Sequence, residues 1–248
     1  MKKYLSLLLT SLLLFCTGCS SSPNVASIED APEPTDYTVA ADTFDPSQYQ
    51  HIGTIESTAD FEKIYHNLEE LTQNADNIVY GTVTATQNFD ESGVGMTLYT
   101  FSISASYLGD LQSGDQISVL ADGGYVRMCQ YIHVFGSGHF ENLTPEEIQT
   151  SVVYNQPAMG APAPEVGDSY MLFLSKPIQD EEPFPNGAYV ELGAFMGRYQ
   201  QVNGQLTRYI PENEPNFYQT GEISTFSTED DSYTLEEMEQ RLSQLLAE

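Results

Sequence analysis

The chain has 248 residues, with 8 Lys+Arg against 36 Asp+Glu and a formal net charge of −28. A charge of that sign repels nucleic acid and anionic lipid headgroups, which excludes nucleic-acid binding as a function class. The chain holds 16 Tyr and no Trp, which points to a β-rich fold because Tyr suits a pleated, half-buried surface.

The chain begins with Lys2 and Lys3, followed by an apolar run from Leu5 to Phe15. That run is shorter than the ~20 residues a membrane-spanning helix needs. It fits the centre of a secretory signal. Cys16-Thr17-Gly18-Cys19 resembles a bacterial lipobox, with Cys16 where Leu is usual. The resemblance implies a signal peptide over residues 1–18, discarding Cys16, and a palmitate-type lipid on Cys19. The protein would then be exported and held to the outer face of the bacterial cell membrane. Stable anchoring takes more than one acyl chain. After cleavage Cys129 is the remaining thiol, and one thiol makes no internal bridge.

Residues 19–56 read as a disordered tether. They are rich in Ser, Pro, Asp and Ala, with no hydrophobic period, and bury too little to offset their ordering entropy. About 35 flexible residues would span ~30 Å. A folded domain is expected over 57–210. It starts with a helix over 57–75, where Phe61, Ile64, Leu68 and Leu71 share one face and Ser57 or Thr58 caps the start. Residues 77–86 read as a strand. Residues 96–110 form the clearest strand: Tyr99, Phe101, Ile103, Ala105 and Tyr107 face a core, and Thr100, Ser102, Ser104 and Ser106 face water. Its length predicts a bend or bulge. A third strand follows at 115–124, with Ile117 and Val119 inward.

Residues 122–167 read as an irregular insertion. One helix start stands out, Thr144-Pro145-Glu146-Glu147, which has the pattern of a capping box. Residues 169–176 are apolar on both faces and read as a central strand. A further strand region covers 188–202, and Asn203-Gly204 signals a hairpin into 205–210. The last segment, 211–248, is a polar linker ending in an amphipathic helix, with Thr234 and Glu237 as capping box and Leu235, Met238, Leu242 and Leu245 on one face.

These elements predict a mainly β fold: a small, closed, OB-like β-barrel of five to six strands with an N-terminal and a C-terminal helix. The order of NIVYGTVTAT, YTFSISASYLGDLQSGDQISV, GDSYMLFL and GRYQQVNGQL resembles a family of bacterial exported proteins. Their barrels are similar to netrin-like and metalloproteinase-inhibitor domains. In those inhibitors the barrel's N-terminal Cys chelates the target's zinc. Cys19 lies far ahead of the first strand, so the inhibitory mechanism is not carried over.

The motifs for chemistry are weak. His133 and His139, with Cys129 and Glu141 nearby, match no recurrent zinc spacing. Gly136-Ser137-Gly138 is preceded by Phe135 and is not a GxSxG elbow. Glu191 has apolar neighbours, but strand alternation points it outward with Tyr189. No catalytic residue, metal site or cofactor is assigned. Tyr125, Tyr131, Phe135 and Tyr154 are the candidate ligand-binding residues, since aromatic rings stack on sugars or receive peptide side chains. The expected function is binding of an envelope or extracellular partner without catalysis, with residues 122–167 carrying recognition. The alternatives are a hydrolase using paired carboxylates and a protease inhibitor acting through a loop.

Overall fold

A computed structural model describes residues 42–56, 63–91, 93–138, 140, 142–178, 187–211, 217–219, 222–224 and 232–247. They belong to the unit Tyr37–Glu248. The signal peptide, Cys19, Ser57, Thr58 and Phe61 lie outside the described residues.

Residues 42–56 are folded, which corrects the expected tether over this stretch. Strand β1 (Asp42–Phe44) and strand β2 (Gln50–Glu56) pair with strands far along the chain. Such pairing satisfies their backbone groups without a local hydrophobic period. Between them Asp45 caps a tight turn, accepting the Ser47 amide at 3.0 Å.

Helix α1 (Leu68–Asn74) is shorter than the sequence predicts. Asn67 takes the N-cap, accepting the Glu70 amide at 2.8 Å, while Glu70 accepts the His66 amide at 2.9 Å. The Asn67 cap starts the helix late. Ile64, ahead of it, still packs with Leu68 and Leu71.

Strands β3 (Asn77–Glu91) and β4 (Val94–Leu108) make a long hairpin. Its register shifts near Ile78, Tyr80 and Val83, as the length of β4 implied. Tyr99, Phe101 and Ile103 are buried on one face. Beyond them Tyr107 packs against the opposite cluster and donates to Glu239 at 2.7 Å. Strand β5 (Gln116–Asp122) completes this meander.

The stretch 122–167 is ordered over much of its length, against the expectation of an irregular insertion. It holds strand β6 (Gly124–Arg127), helix α2 (Met128–Phe135), helix α3 (Pro145–Thr150) and strand β7 (Ser151–Gln156). The Thr144–Glu147 capping box is formed. Val126, Met128, Tyr131 and Val153 give this part its own core. Strands β2, β7 and β6 form a separate three-stranded sheet.

Strand β8 (Ser169–Leu174) is central. Tyr170, Leu172 and Leu174 enter one cluster, and Met171 and Phe173 the other. Strand β9 (Tyr189–Val190) runs parallel to β5. Strands β10 (Arg198–Val202) and β11 (Gln205–Arg208) form the hairpin, with Asn203 at φ 52 and Gly204 at φ 83. Two positive φ values match the twist of the flanking strands. Strands β12 (Phe217–Gln219) and β13 (Glu222–Ser224) pair with each other. Strand β14 (Ser232–Thr234) joins β11, and helix α4 (Leu235–Leu245) starts from the Thr234–Glu237 capping box. Its Met238 and Leu242 bury against the cluster that holds α1.

The fold is mainly β. The main sheet runs β14-β11-β10-β8-β3-β4-β5-β9, with β1 on the far end of β3. It is a curled half-barrel of eight strands, which corrects the expected closed barrel of five to six. Two features account for the difference. The β10–β11 hairpin and β14 extend the sheet past β8. At the other end β9 has two residues, and the chain after it meets β8 through an isolated Leu174–Glu191 bridge in place of a ladder.

Candidate functional site

The three-stranded sheet sits on the far end of the β3–β4 hairpin, and its seat is built by glycines and one ion pair. Gly123 and Gly124, at φ +83 and +150, turn the chain from β5 into β6. A side chain on Gly124 would meet the Met96 carbonyl oxygen at 2.6 Å, so the backbones approach only because it is absent. Thr97 Oγ1 donates to the Gly123 carbonyl at 2.8 Å, and the Tyr125 amide to Asn88 Oδ1 at 3.1 Å. Arg127 then clamps Asp90. Nε donates to Oδ2 at 2.8 Å, Nη2 to Oδ1 at 2.6 Å, and the Arg127 amide to Oδ2 at 2.9 Å. The bond to Asp90 holds the guanidinium still more firmly in its charged form.

Strand alternation puts Val126 and Val153 on the face covered by α2 and α3, and Tyr125 and Tyr154 on the other. Tyr125 and Tyr154 are cross-strand partners. Their ring centroids are 5.2 Å apart at 61°, and His51 of β2 stands 5.5 Å from Tyr125 at 87°. Both tyrosines are half-buried and His51 is exposed. Arg127 continues this face under the Phe44 ring at 5.2 Å, and Phe44 meets Tyr49 at 5.6 Å. Burial, helped by Tyr125, Asp122 and Glu165, pushes the Tyr154 phenol above its ordinary pKa. Asp122 is held in place by the Ala158 amide, which donates to Oδ2 at 2.6 Å.

The four residues predicted to bind ligand therefore split. Tyr125 and Tyr154 come together. Tyr131, 9% exposed, belongs to the small core beneath, in contact with Phe135 at 5.1 Å and Phe140 at 5.7 Å. Phe135 is 57% exposed at the end of α2, away from the tyrosine pair. Sequence reasoning missed Phe44, Tyr49 and His51, which fall in the stretch read as tether. Their aromatic spacing was the available signal, but the register shift between His51 and Thr54 breaks the alternation that would mark a strand.

A second polar group lies inside the main sheet. Glu191 is 3% exposed and Arg198 6%, which corrects the outward placement expected for Glu191. Alternation stops at Val190, and Gly193 in the left-handed region turns the chain into a short 3-10 segment. Tyr99 donates to Glu191 Oε1 at 2.6 Å, and Arg198 Nη1 lies 3.5 Å from the same oxygen. Arg198 Nη2 donates to the Pro162 carbonyl at 2.7 Å, which ties the covering segment 157–167 over the pair. Tyr170 stacks under Arg198 at 5.6 Å and donates to Asp168 Oδ2 at 2.7 Å. Burial raises the Glu191 pKa, opposed by Arg198 and the Tyr99 hydroxyl. This carboxylate is spent on internal partners.

Cys129 is buried, and burial pushes its thiol pKa up. His133 is exposed on α2, while His139 and Glu141 lie outside the described residues. Among the described residues no three His, Cys, Asp or Glu side chains converge as metal ligands, and no helix is long and apolar enough to cross a membrane. No protein-family model, curated protein or solved structure matches the chain.

Proposed function

We propose that this chain is a lipid-anchored binding protein of the bacterial cell surface, without catalytic activity, whose recognition surface is the aromatic face of β2, β7 and β6. The observation that carries the reading is the half-buried Tyr125–Tyr154 pair with exposed His51 against it. Tyrosines with one wet face supply contact area at little cost in conformational entropy and are enriched at recognition sites. Their backbone is fixed to the main sheet through Arg127 and Asp90, so the face is pre-organised. The apolar run before Cys19 and the small residues around it support the anchor.

The β3-β4-β5 meander, with β9 parallel to β5 and β8 on the other side of β3, supports an OB-like reading of the larger sheet. The parallel β5–β9 pair fits it, as do the bonds from the Ser175 amide to Val190 and from the Leu192 amide to Phe173, both 3.0 Å. On the β2-β7-β6 face the aromatic rings offer surfaces on which sugars stack, and the charge of −28 disfavours nucleic acid, so an envelope glycan is the ligand class put to the test.

The test is co-sedimentation of the full chain with purified cell-wall polysaccharide. Tyr125→Ala with Tyr154→Ala should weaken binding about tenfold or more, the scale of losing a stacked aromatic contact, and Phe135→Ala should leave it unchanged. Equal retention by the double variant would remove the face from consideration. Cys19→Ser should release the protein from the membrane fraction; retention there would sink the anchor.

A further inference from the structure

Three exposed apolar side chains gather at the β3–β4 turn. Val94 is 36% exposed, Val134 45% and Phe135 57%. Val94 pairs with Glu91 across the turn, and Val134 and Phe135 close helix α2. A Cβ placed on Gly93 would lie 3.0 Å from Phe135 Cε2 and 3.1 Å from Val134 Cβ, so the helix end is packed on the turn. The Tyr131 ring braces Phe135 at 5.1 Å. Contiguous exposed apolar groups mark contact with a protein or a membrane. The place where the chain enters the fold favours the membrane. Asp42 pairs with Asp90, Asp90 pairs with Gly95, and β1 runs away from the turn. Neighbouring strands lie ~4.8 Å apart, which sets Asp42 about 10 Å from Gly95. The chain coming from Cys19 therefore joins the fold at the end that carries the patch.

We infer that Val94, Val134 and Phe135 dip into the interface of the lipid bilayer to which Cys19 holds the protein, so that the β3–β4 turn faces the membrane. The contact rests on the lipid-anchored reading proposed above. A chain of net charge −28 is repelled by anionic headgroups and does not collect on a membrane from solution. The anchor removes that obstacle. Residues 20–41 lie between Cys19 and β1 and reach at most ~80 Å. That reach keeps the turn near lipid at an effective concentration on the order of 1 mM. At such a concentration the burial of a few apolar side chains suffices for a reversible contact. A second copy of the chain fits the patch less well, because two bodies of the same large charge repel.

The chain has no Trp, so a single introduced indole reports its own depth. Phe135→Trp places it in the patch. Val202→Trp is the control. Val202 is 46% exposed, and the pairings of Gln200 with Tyr170 and of Tyr170 with Gly81 set it level with Val83. That is roughly 25 Å along β3 from the turn. Both full-length variants, purified with their native lipid, are placed in phosphatidylcholine vesicles with brominated acyl chains. Phe135→Trp should lose about half its emission relative to unbrominated vesicles, and Val202→Trp less than about a tenth, since interfacial side chains reach the acyl boundary. Adding Val94→Asp and Val134→Asp to Phe135→Trp should restore the emission while the protein stays on the vesicles. Quenching that persists in that triple variant would overturn the role of the patch. Equal quenching of the two single variants would overturn the oriented contact, and this comparison stands whether or not the triple variant folds. Protein that stays on the vesicles with neither reporter quenched would overturn the contact and leave the anchor standing. Protein that does not stay on the vesicles would overturn both.

Discussion

Two buried ion pairs hold different parts of this molecule, and they are built differently. Asp90 is fully buried and receives three hydrogen bonds from Arg127, two from the guanidinium and one from its amide. Glu191, inside the main sheet, meets Arg198 through one contact of 3.5 Å and depends on the Tyr99 hydroxyl for its short bond. The first pair joins two sheets and fixes their register. The second sits among apolar side chains of one sheet and ties down the 157–167 segment through the Pro162 carbonyl. A buried charge pair repays its desolvation when the geometry is excellent and the remaining lone pairs are satisfied. By that measure the Arg127–Asp90 clamp serves the architecture, and the Arg198–Glu191 pair is kept at a cost that Tyr99 and Pro162 offset.

Asp90→Ala strands Arg127 and removes the docking bonds, and should cost about 3–5 kcal/mol in urea unfolding. Hydrogen exchange in β6 and β7 should rise more than in β8. Equal changes in both places would mean that the clamp does not hold the small sheet separately. Arg198→Met alone should cost about 3 kcal/mol by leaving Glu191 without its counter-charge. Adding Glu191→Leu should recover most of that loss, because a packed apolar pair often replaces a buried ion pair without penalty. A double-mutant cycle as strong as that for Asp90 and Arg127 would erase the distinction between the pairs.

A smaller effect separates two glutamates by pH. The Glu191 pKa is raised from the ordinary 4.5, mainly by burial. Its share of stability is therefore greatest below pH 4.5 and is lost as pH rises through the folded-state value. Glu237 moves the other way: the Thr234 amide and hydroxyl lower its pKa from 4.5. Its share is present above pH 4.5 and is lost as pH falls through the lowered value. Melting temperatures across this range should show Glu191→Gln gaining on the parent as pH rises and Glu237→Gln falling behind it. The smallest change expected is from Thr144→Ala, which removes one side-chain cap from α3 and should cost about 1 kcal/mol.

Local signals in the chain were legible wherever the deciding contacts lie within a few residues. The capping boxes at Thr144 and Thr234 form as their spacing implied, and the Asn203-Gly204 hairpin turns where its φ requirement placed it. The α1 start was missed for the same kind of reason. Asn67 competes as a cap inside an apolar pattern that continues through Ile64, and the pattern concealed it. Of the candidate face, Tyr125 and Tyr154 were legible as aromatics in one segment. Tyr131 and Phe135 were grouped with them because a segment read as irregular has no defined faces.

What the amino-acid sequence determined by itself is the two-residue period of β4, the doubly apolar β8 and the end signals of α3 and α4, since backbone sterics and nearest neighbours decide these. The tertiary structure decided the rest. It decided that β2 pairs with β7, that Glu191 turns inward to Tyr99, that the sheet spreads into a half-barrel, and that His51 of β2 meets Tyr125 of the distant β6. Each of these depends on register between remote segments, and the free energy that selects a register comes from both partners packed together.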